Sequence, residues 1–124
     1  MPDAATGVFS VELSDDLRVI SPRGDSHGFR YNDIHTETNA ITDRLRRDRV
    51  RNLLIDFSDI EIVGSVMISA IIKIARQHGG QKGTAAFCGT SEHMLEVFHA
   101  MNLTRLWPCF DSREEAVESF ARSL

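Results

Sequence analysis

The side chains able to do nucleophilic or metal chemistry are two cysteines, five histidines and a scatter of serines. Acyl transfer would need a Ser or Cys beside a histidine that a carboxylate orients. None of His27, His35, His78, His93 and His99 stands in a motif that predicts such a meeting. Cys88 and Cys109 belong to no Cys-x-x-Cys or Cys/His ligand spacing, which predicts buried thiols rather than a disulfide or a metal site. His93 and His99 share one predicted helix but miss the i, i+4 spacing that sets two ligands on one face, so both read as ordinary polar side chains. The glycine-rich stretch Gly79-Gly80-Gln81-Lys82-Gly83 falls between a helix and a strand, opposite to the strand-to-helix order of a phosphate-cradling loop, and it is the only support for a nucleotide-dependent enzyme. These residues predict no catalyst and no cofactor. The triplet Arg23-Gly24-Asp25 reads as chance, because its known use is extracellular.

Charge and length narrow the partners. Fourteen Lys and Arg against eighteen Asp and Glu give −4, the wrong sign for a chain whose main partner is nucleic acid. The longest apolar stretch, Val66 to Ala75, is about ten residues and carries Ser69 and Lys73, well short of the ~20 that cross a bilayer, so no membrane span is expected. The opening Met1-Pro2-Asp3-Ala4-Ala5-Thr6 lacks a cationic segment followed by an apolar one, which predicts a cytoplasmic protein. At 124 residues the chain is the size of one domain, expected over residues 8–124 behind a flexible segment 1–7.

The elements follow from periodicity. Val8 to Leu13 alternates and Leu17 to Ile20 follows a turn-like Ser14-Asp15-Asp16, which predicts an edge hairpin. A turn-rich stretch Ser21 to Gly28 precedes a helix from about Asn32 to Asp48, with Ile34, Ile41 and Leu45 at helical spacing. Arg44, Arg46, Arg47, Arg49 and Arg51 crowd its end, but Asp43 and Asp48 are interleaved and the helix dipole favours cations there, so a solvated helix end is expected rather than a phosphate site.

Leu53-Leu54-Ile55-Asp56-Phe57 is a nearly continuous apolar run, the pattern of a central strand covered on both faces. A seven-residue loop, Ser58 to Gly64, leads to a helix from Ser65 to His78 whose apolar residues cover most of its circumference. Thr84 to Cys88 reads as a strand. Thr90 or Ser91 then caps a helix running to about Met101, with Leu95, Phe98 and Met101 inward. Trp107 to Phe110 is a short extended piece. Ser112-Arg113-Glu114-Glu115 fits a capping box opening a last helix with Val117, Phe120 and Leu124 at helical spacing. The order β-β-α-β-α-β-α-β-α implies an α/β fold with a mixed, mostly parallel sheet and one antiparallel edge strand.

The junction Ile55-Asp56-Phe57-Ser58, a loop, then Gly64-Ser65-Val66-Met67-Ile68 opening a helix resembles the STAS domain family, the anti-sigma factor antagonists and their relatives. In that family a strand like Leu-Asp-Leu-Ser is followed by Asp-Ser-Ser/Thr-Gly at a helix start. Leu95 through Arg105-Leu106-Trp107-Pro108 and Asp111-Ser112-Arg113-Glu114-Glu115-Ala116 are similar to the family's later segments, so the resemblance spans about residues 53–120. It implies a non-enzymatic partner-switching module that binds a kinase-like anti-sigma factor until a loop serine, here Ser65, is phosphorylated. It further implies a partner surface of Gly64, Ser65, Val66, Met67 and Ile68, with Asp25 standing near the family's Gly-x-x-Asp. Gly64, Val66 and Met67 depart from the family's acidic, hydroxyl and glycine positions, which leaves a second reading: a STAS-like scaffold or ligand-sensing module without phosphoregulation. On physical grounds alone Ser65 is equally a helix N-cap, and Met67 and Ile68 are either a docking surface or core.

Overall fold

The computed structural model describes residues 7–14, 16–23, 31–48, 51–61, 64–79 and 84–122. Alternation along β1 (Phe9–Ser14) buries Phe9 and Val11 and leaves Ser10 and Glu12 half-buried, and β1 pairs antiparallel with β2 (Leu17–Pro22), Phe9 opposite Pro22 and Ser14 opposite Leu17. After α1 (Tyr31–Asp48) come β3 (Asn52–Asp56), α2 (Ser65–Gly79), β4 (Thr84–Cys88), α3 (Glu92–Ala100), a 3₁₀ turn at Leu103–Arg105, β5 (Cys109–Phe110) and α4 (Arg113–Arg122). The sheet runs β1-β2-β3-β4-β5, and every pair after the first is parallel. This is the predicted element order and fold class. Of the expected loose segment 1–7 all but Gly7 lies outside the described residues, as do Gly24, Asp25 and the expected inward Leu124.

Successive crossovers place α1, α2 and α3 on one face of the sheet, and α4 returns across the other. On the first face Leu53, Ile55 and Phe57 meet Ile41 and Leu45 of α1, Ile71 and Ile74 of α2, and Met94 and Phe98 of α3; on the second, Leu54, Ala86 and Cys88 meet Ala116 and Phe120 of α4. That two-sided burial explains the unbroken apolar run of β3. Phe57, Phe87 and Phe98 form a triangle of rings with centroids 5.4 to 5.5 Å apart, and Trp107 lies 5.7 Å from Phe87.

Two helices are rotated from the faces their sequences suggested. In α3 the inward pair is Met94 and Phe98, while Leu95 and Met101 are 41% and 46% exposed. In α4 it is Ala116 and Phe120, with Val117 outside. Met94-Leu95 and Val97-Phe98 are adjacent apolar pairs, so two stripes one residue apart were both legal on periodicity, and packing on the sheet selected between them. The predicted caps are present: Met94 N donates to Ser91 Oγ at 3.1 Å and Glu115 N to Ser112 Oγ at 3.2 Å. Asn102 ends α3 with a φ of 62°, a left-handed position that asparagine tolerates.

Two polar side chains are buried at the opposite end of the sheet from the α2 start. Arg18 on β2 is 1% exposed and reaches Asp48, in the last turn of α1, with Nη2 at 2.6 Å from Oδ2. His78, fully buried near the end of α2, contacts the Arg51 carbonyl through Nε2 at 2.9 Å. The arginine-rich end of α1 is laced as its interleaved aspartates suggested: Arg46 lies 3.8 Å from Asp43 and Arg44 3.9 Å from Asp48.

Candidate functional site

The site begins where β3 ends. Asp56 is buried at the strand's C-terminal end, and its Oδ1 accepts from the Ser58 amide at 2.9 Å and from Ser58 Oγ at 2.6 Å. An Asp bonded to the amide two residues on is an Asx turn, so the chain leaves the sheet in a fixed direction. Oδ2 of Asp56 accepts from Arg113 Nε at 3.1 Å and Nη2 at 2.9 Å, and the same guanidinium reaches Glu12 Oε1 through Nη1 at 3.2 Å. Edge strand, central strand and last helix thus meet at one cation. Burial alone would raise the Asp56 pKa, but the Ser58 and Arg113 hydrogen bonds outweigh it and hold the carboxyl below its ordinary value.

Gly89, just after β4, closes over this turn with a φ of +70°. A Cβ built there would stand 2.3 Å from Ser58 Oγ and 2.9 Å from Asp56 Oδ1, so only glycine lets the two strand ends approach. Cys88 lies beside Asp56, and burial together with that carboxylate pushes its thiol up to about 12. The second thiol, Cys109, is pushed up to about 11 by burial. Cys88 packs with the α4-side core and Cys109 against the other, so the two side chains point to opposite faces of the sheet.

Beyond the turn, Ile60 N donates to the Phe57 carbonyl at 3.1 Å and the Ile60 side chain packs on the main core. The Ser91 hydroxyl donates to the Glu61 carbonyl at 2.7 Å while accepting from Met94 N. Loop residues 57–61 are therefore held from β3, from β4 and from the cap of α3. Ile62 and Val63 lie outside the described residues.

At the start of α2 the Gly64 carbonyl accepts the first helical bond, from Ile68 N at 3.0 Å, which makes Gly64 the capping position and Ser65 the first residue inside. Ser65 is exposed, and its hydroxyl has no hydrogen-bond partner among the described residues, unlike the cap serines Ser91 and Ser112. A Cβ on Gly64 would meet nothing within 4 Å. Val66 is half-buried. Met67 and Ile68, at 6% and 8% exposure, belong to the main core, so their side chains are withdrawn from the surface expected to meet a partner. The sequence could not decide this, because an apolar helix start is the same string whether it docks or packs. Of the expected surface, Gly64, Ser65 and Val66 stand together at the protein exterior, and Asp25 falls outside the described residues.

Among the described residues no group of three or more His, Cys, Asp and Glu is arranged to hold a metal ion, and no helix is long and apolar enough to cross a membrane. Of the clamp of Asp56, Ser58, Gly89 and Arg113 the sequence offered only the separate segments Asp56-Phe57-Ser58 and Ser112-Arg113-Glu114-Glu115, with nothing in either to say that they meet.

A sequence profile of the STAS domain matches residues 10–116, nearly the whole described fold. The chain belongs to the STAS domain family. No curated protein sequence matches it. Among solved structures, this STAS domain is similar to an anti-sigma-factor antagonist (STAS) domain protein from Planctomyces limnophilus, with a TM-score of 0.77 at 21% identity over 91% of this chain and 97% of that one. It is also similar to the anti-sigma factor antagonist SpoIIAA in its unphosphorylated form, with a TM-score of 0.73 at 18% identity over 94% and 97%. The phosphorylated form of the Bacillus cell fate determinant SpoIIAA gives 0.71 at 18% over 90% and 98%. At such identities the likeness is one of fold.

Proposed function

We propose that this STAS domain is an anti-sigma factor antagonist-like regulator that acts in the cytoplasm by contact rather than catalysis. Unmodified, it binds a kinase-like anti-sigma factor through the surface at Gly64, Ser65 and Val66; phosphorylation of Ser65 ends the contact. The observation that carries this reading is the exposed Ser65 hydroxyl, unengaged at the first position of α2. The fold shared with SpoIIAA, solved with and without phosphate, supports it.

The physics makes the modification a switch of binding and not of folding. A phosphate on Ser65 meets the unpaired amides and the positive dipole end of α2, each favourable by roughly 0.3 to 1 kcal/mol. Covering the loop with a partner means desolvating about −1.5 to −2 charges, a cost of several kcal/mol. Each 1.4 kcal/mol is tenfold in affinity, so about 3 kcal/mol releases the partner.

The test is incubation with kinase-like anti-sigma factors and ATP, read by mass spectrometry, with calorimetry on two variants. Phosphate is expected at Ser65. Ser65→Ala should keep binding and lose regulation, and Ser65→Asp should bind about a hundredfold more weakly while melting within a few degrees of wild type. Should Ser65→Asp bind as tightly as wild type and no phosphate appear at Ser65, the module is a scaffold or ligand sensor without phosphoregulation.

A further inference from the structure

A cleft of about 210 Å³ opens between α1 and α2 one residue beyond Ser65. Ile34, Val66 and Ala70 make its apolar floor, and the exposed His35, Ser69 and Lys73 stand on its rim. Lys73 Nζ donates to Asn39 Oδ1 at 2.6 Å, and Asn39 Nδ2 lies 3.3 Å from His35 Nε2, so a polar ladder crosses from α2 to α1. Asn39 is neutral, and among the described residues no carboxylate lines the cleft; Lys73 meets no opposite charge there. The volume decides the class of occupant. Pockets for whole small ligands run from roughly 300 to 1,000 Å³, whereas this one suits a single large apolar side chain.

Ser65, Ser69 and Lys73 follow at i, i+4 and i+8, so they share one face of α2, with Ser65 about 12 Å from Lys73 along the axis. We infer that the cleft takes an acidic amphipathic segment of the protein partner, an apolar side chain seated on Ile34, Val66 and Ala70 and a carboxylate on Lys73; this rests on the partner-switching reading. It also specifies how modification acts. A phosphate on Ser65 sits on the face that the acidic segment must cross, and like-charge repulsion adds to the desolvation cost.

The test titrates the isotope-labelled full chain with a capped helical peptide carrying Leu and Glu four residues apart, and with the same peptide bearing Lys for Glu. Amide shifts in the NMR spectrum should concentrate on residues 34–39 and 66–73. The Glu peptide should bind at least about tenfold tighter than the Lys peptide, the lower end for one close charge pair, and Lys73→Glu should invert that preference. Equal binding of the two peptides, shifts centred elsewhere or no shifts would overturn the inference. The kinase-like anti-sigma factor separates the two proposals. If Ser65→Asp weakens its binding and Lys73→Glu does not, the cleft inference falls and partner switching stands. If the peptides obey the charge rule and no anti-sigma factor binds wild type, the cleft stands and partner switching falls.

Discussion

Arg113 closes on Asp56 across 57 residues of sequence, both Nε and Nη2 within 3.1 Å of the same carboxylate oxygen. The pair ties the start of α4 to the end of β3, where the chain turns toward Ser65. Its consequence for stability has a definite sign. Because the folded pKa of Asp56 is held below the ordinary 3.8, its contribution is present above that value and is lost as pH falls through the folded value. Urea midpoints followed from pH 6 downward should show a steep acid limb that Asp56→Asn flattens. Asp56→Ala should cost about 1 to 3 kcal/mol at neutral pH, while Arg113→Met, whose side chain is 38% exposed, should cost less than about 1.

Two glycines flanking the loop make opposite predictions. Gly89→Ala puts a methyl into the Asp56 turn at a positive φ, and strain of about 1 to 2 kcal/mol plus displacement of Ser58 should lower stability by about 2 kcal/mol or more. Gly64→Ala meets open space and should stay within about 0.5 kcal/mol of wild type. Denaturant melts of the two variants side by side check both.

His78 carries a second pH dependence. Burial disfavours its charged form, so its folded pKa lies below the ordinary 6.5 even though the Arg51 and Thr84 backbones pull it upward. Its contribution is fully present above pH 6.5 and declines as pH falls toward the folded value, since the unfolded chain takes up the proton first. His78→Gln should flatten the stability profile just below pH 6.5, with the acid limb of Asp56 left intact.

Arg18 predicts a substitution that helps. Its Nε and Nη1 are buried without a hydrogen bond among the described residues, and only Nη2 meets Asp48, whose side chain is 36% exposed. Arg18→Met keeps most of the stem's volume, removes the desolvated charge and leaves Asp48 in solvent. Its stability should equal or exceed wild type by up to about 1 kcal/mol. A loss of more than about 2 kcal/mol would mean that the single ion pair outweighs the cost of burying the guanidinium.

Elements whose cause is local were legible in the sequence: the run Leu53 to Phe57, the Ser91 and Ser112 caps, the start of α2 at Ser65 and the family its junction resembles. What could not be read was non-local. Glu12 and Arg113 stand 101 residues apart, and no periodicity announces their meeting. The phase of α3 hung on which of two adjacent stripes the sheet would cover. Met67 and Ile68 could be read as docking surface or as core, because apolar residues at a helix start carry no mark of the neighbour that buries them.

One oxygen, Ser91 Oγ, serves two elements at once, giving its proton to the Glu61 carbonyl and its lone pair to the Met94 amide. Because one side chain makes both bonds, loss of the Ser91 hydroxyl releases the Glu61 carbonyl and the Met94 amide together, and in hydrogen exchange the Met94 amide should be sensitive to displacement of Glu61. Ser91→Ala should uncouple them, exposing Met94 to fast exchange whatever the loop does. A protein bound over Ser65 that stills the loop would slow exchange at the start of α3, and the STAS fold would carry news of its occupancy along a single hydroxyl.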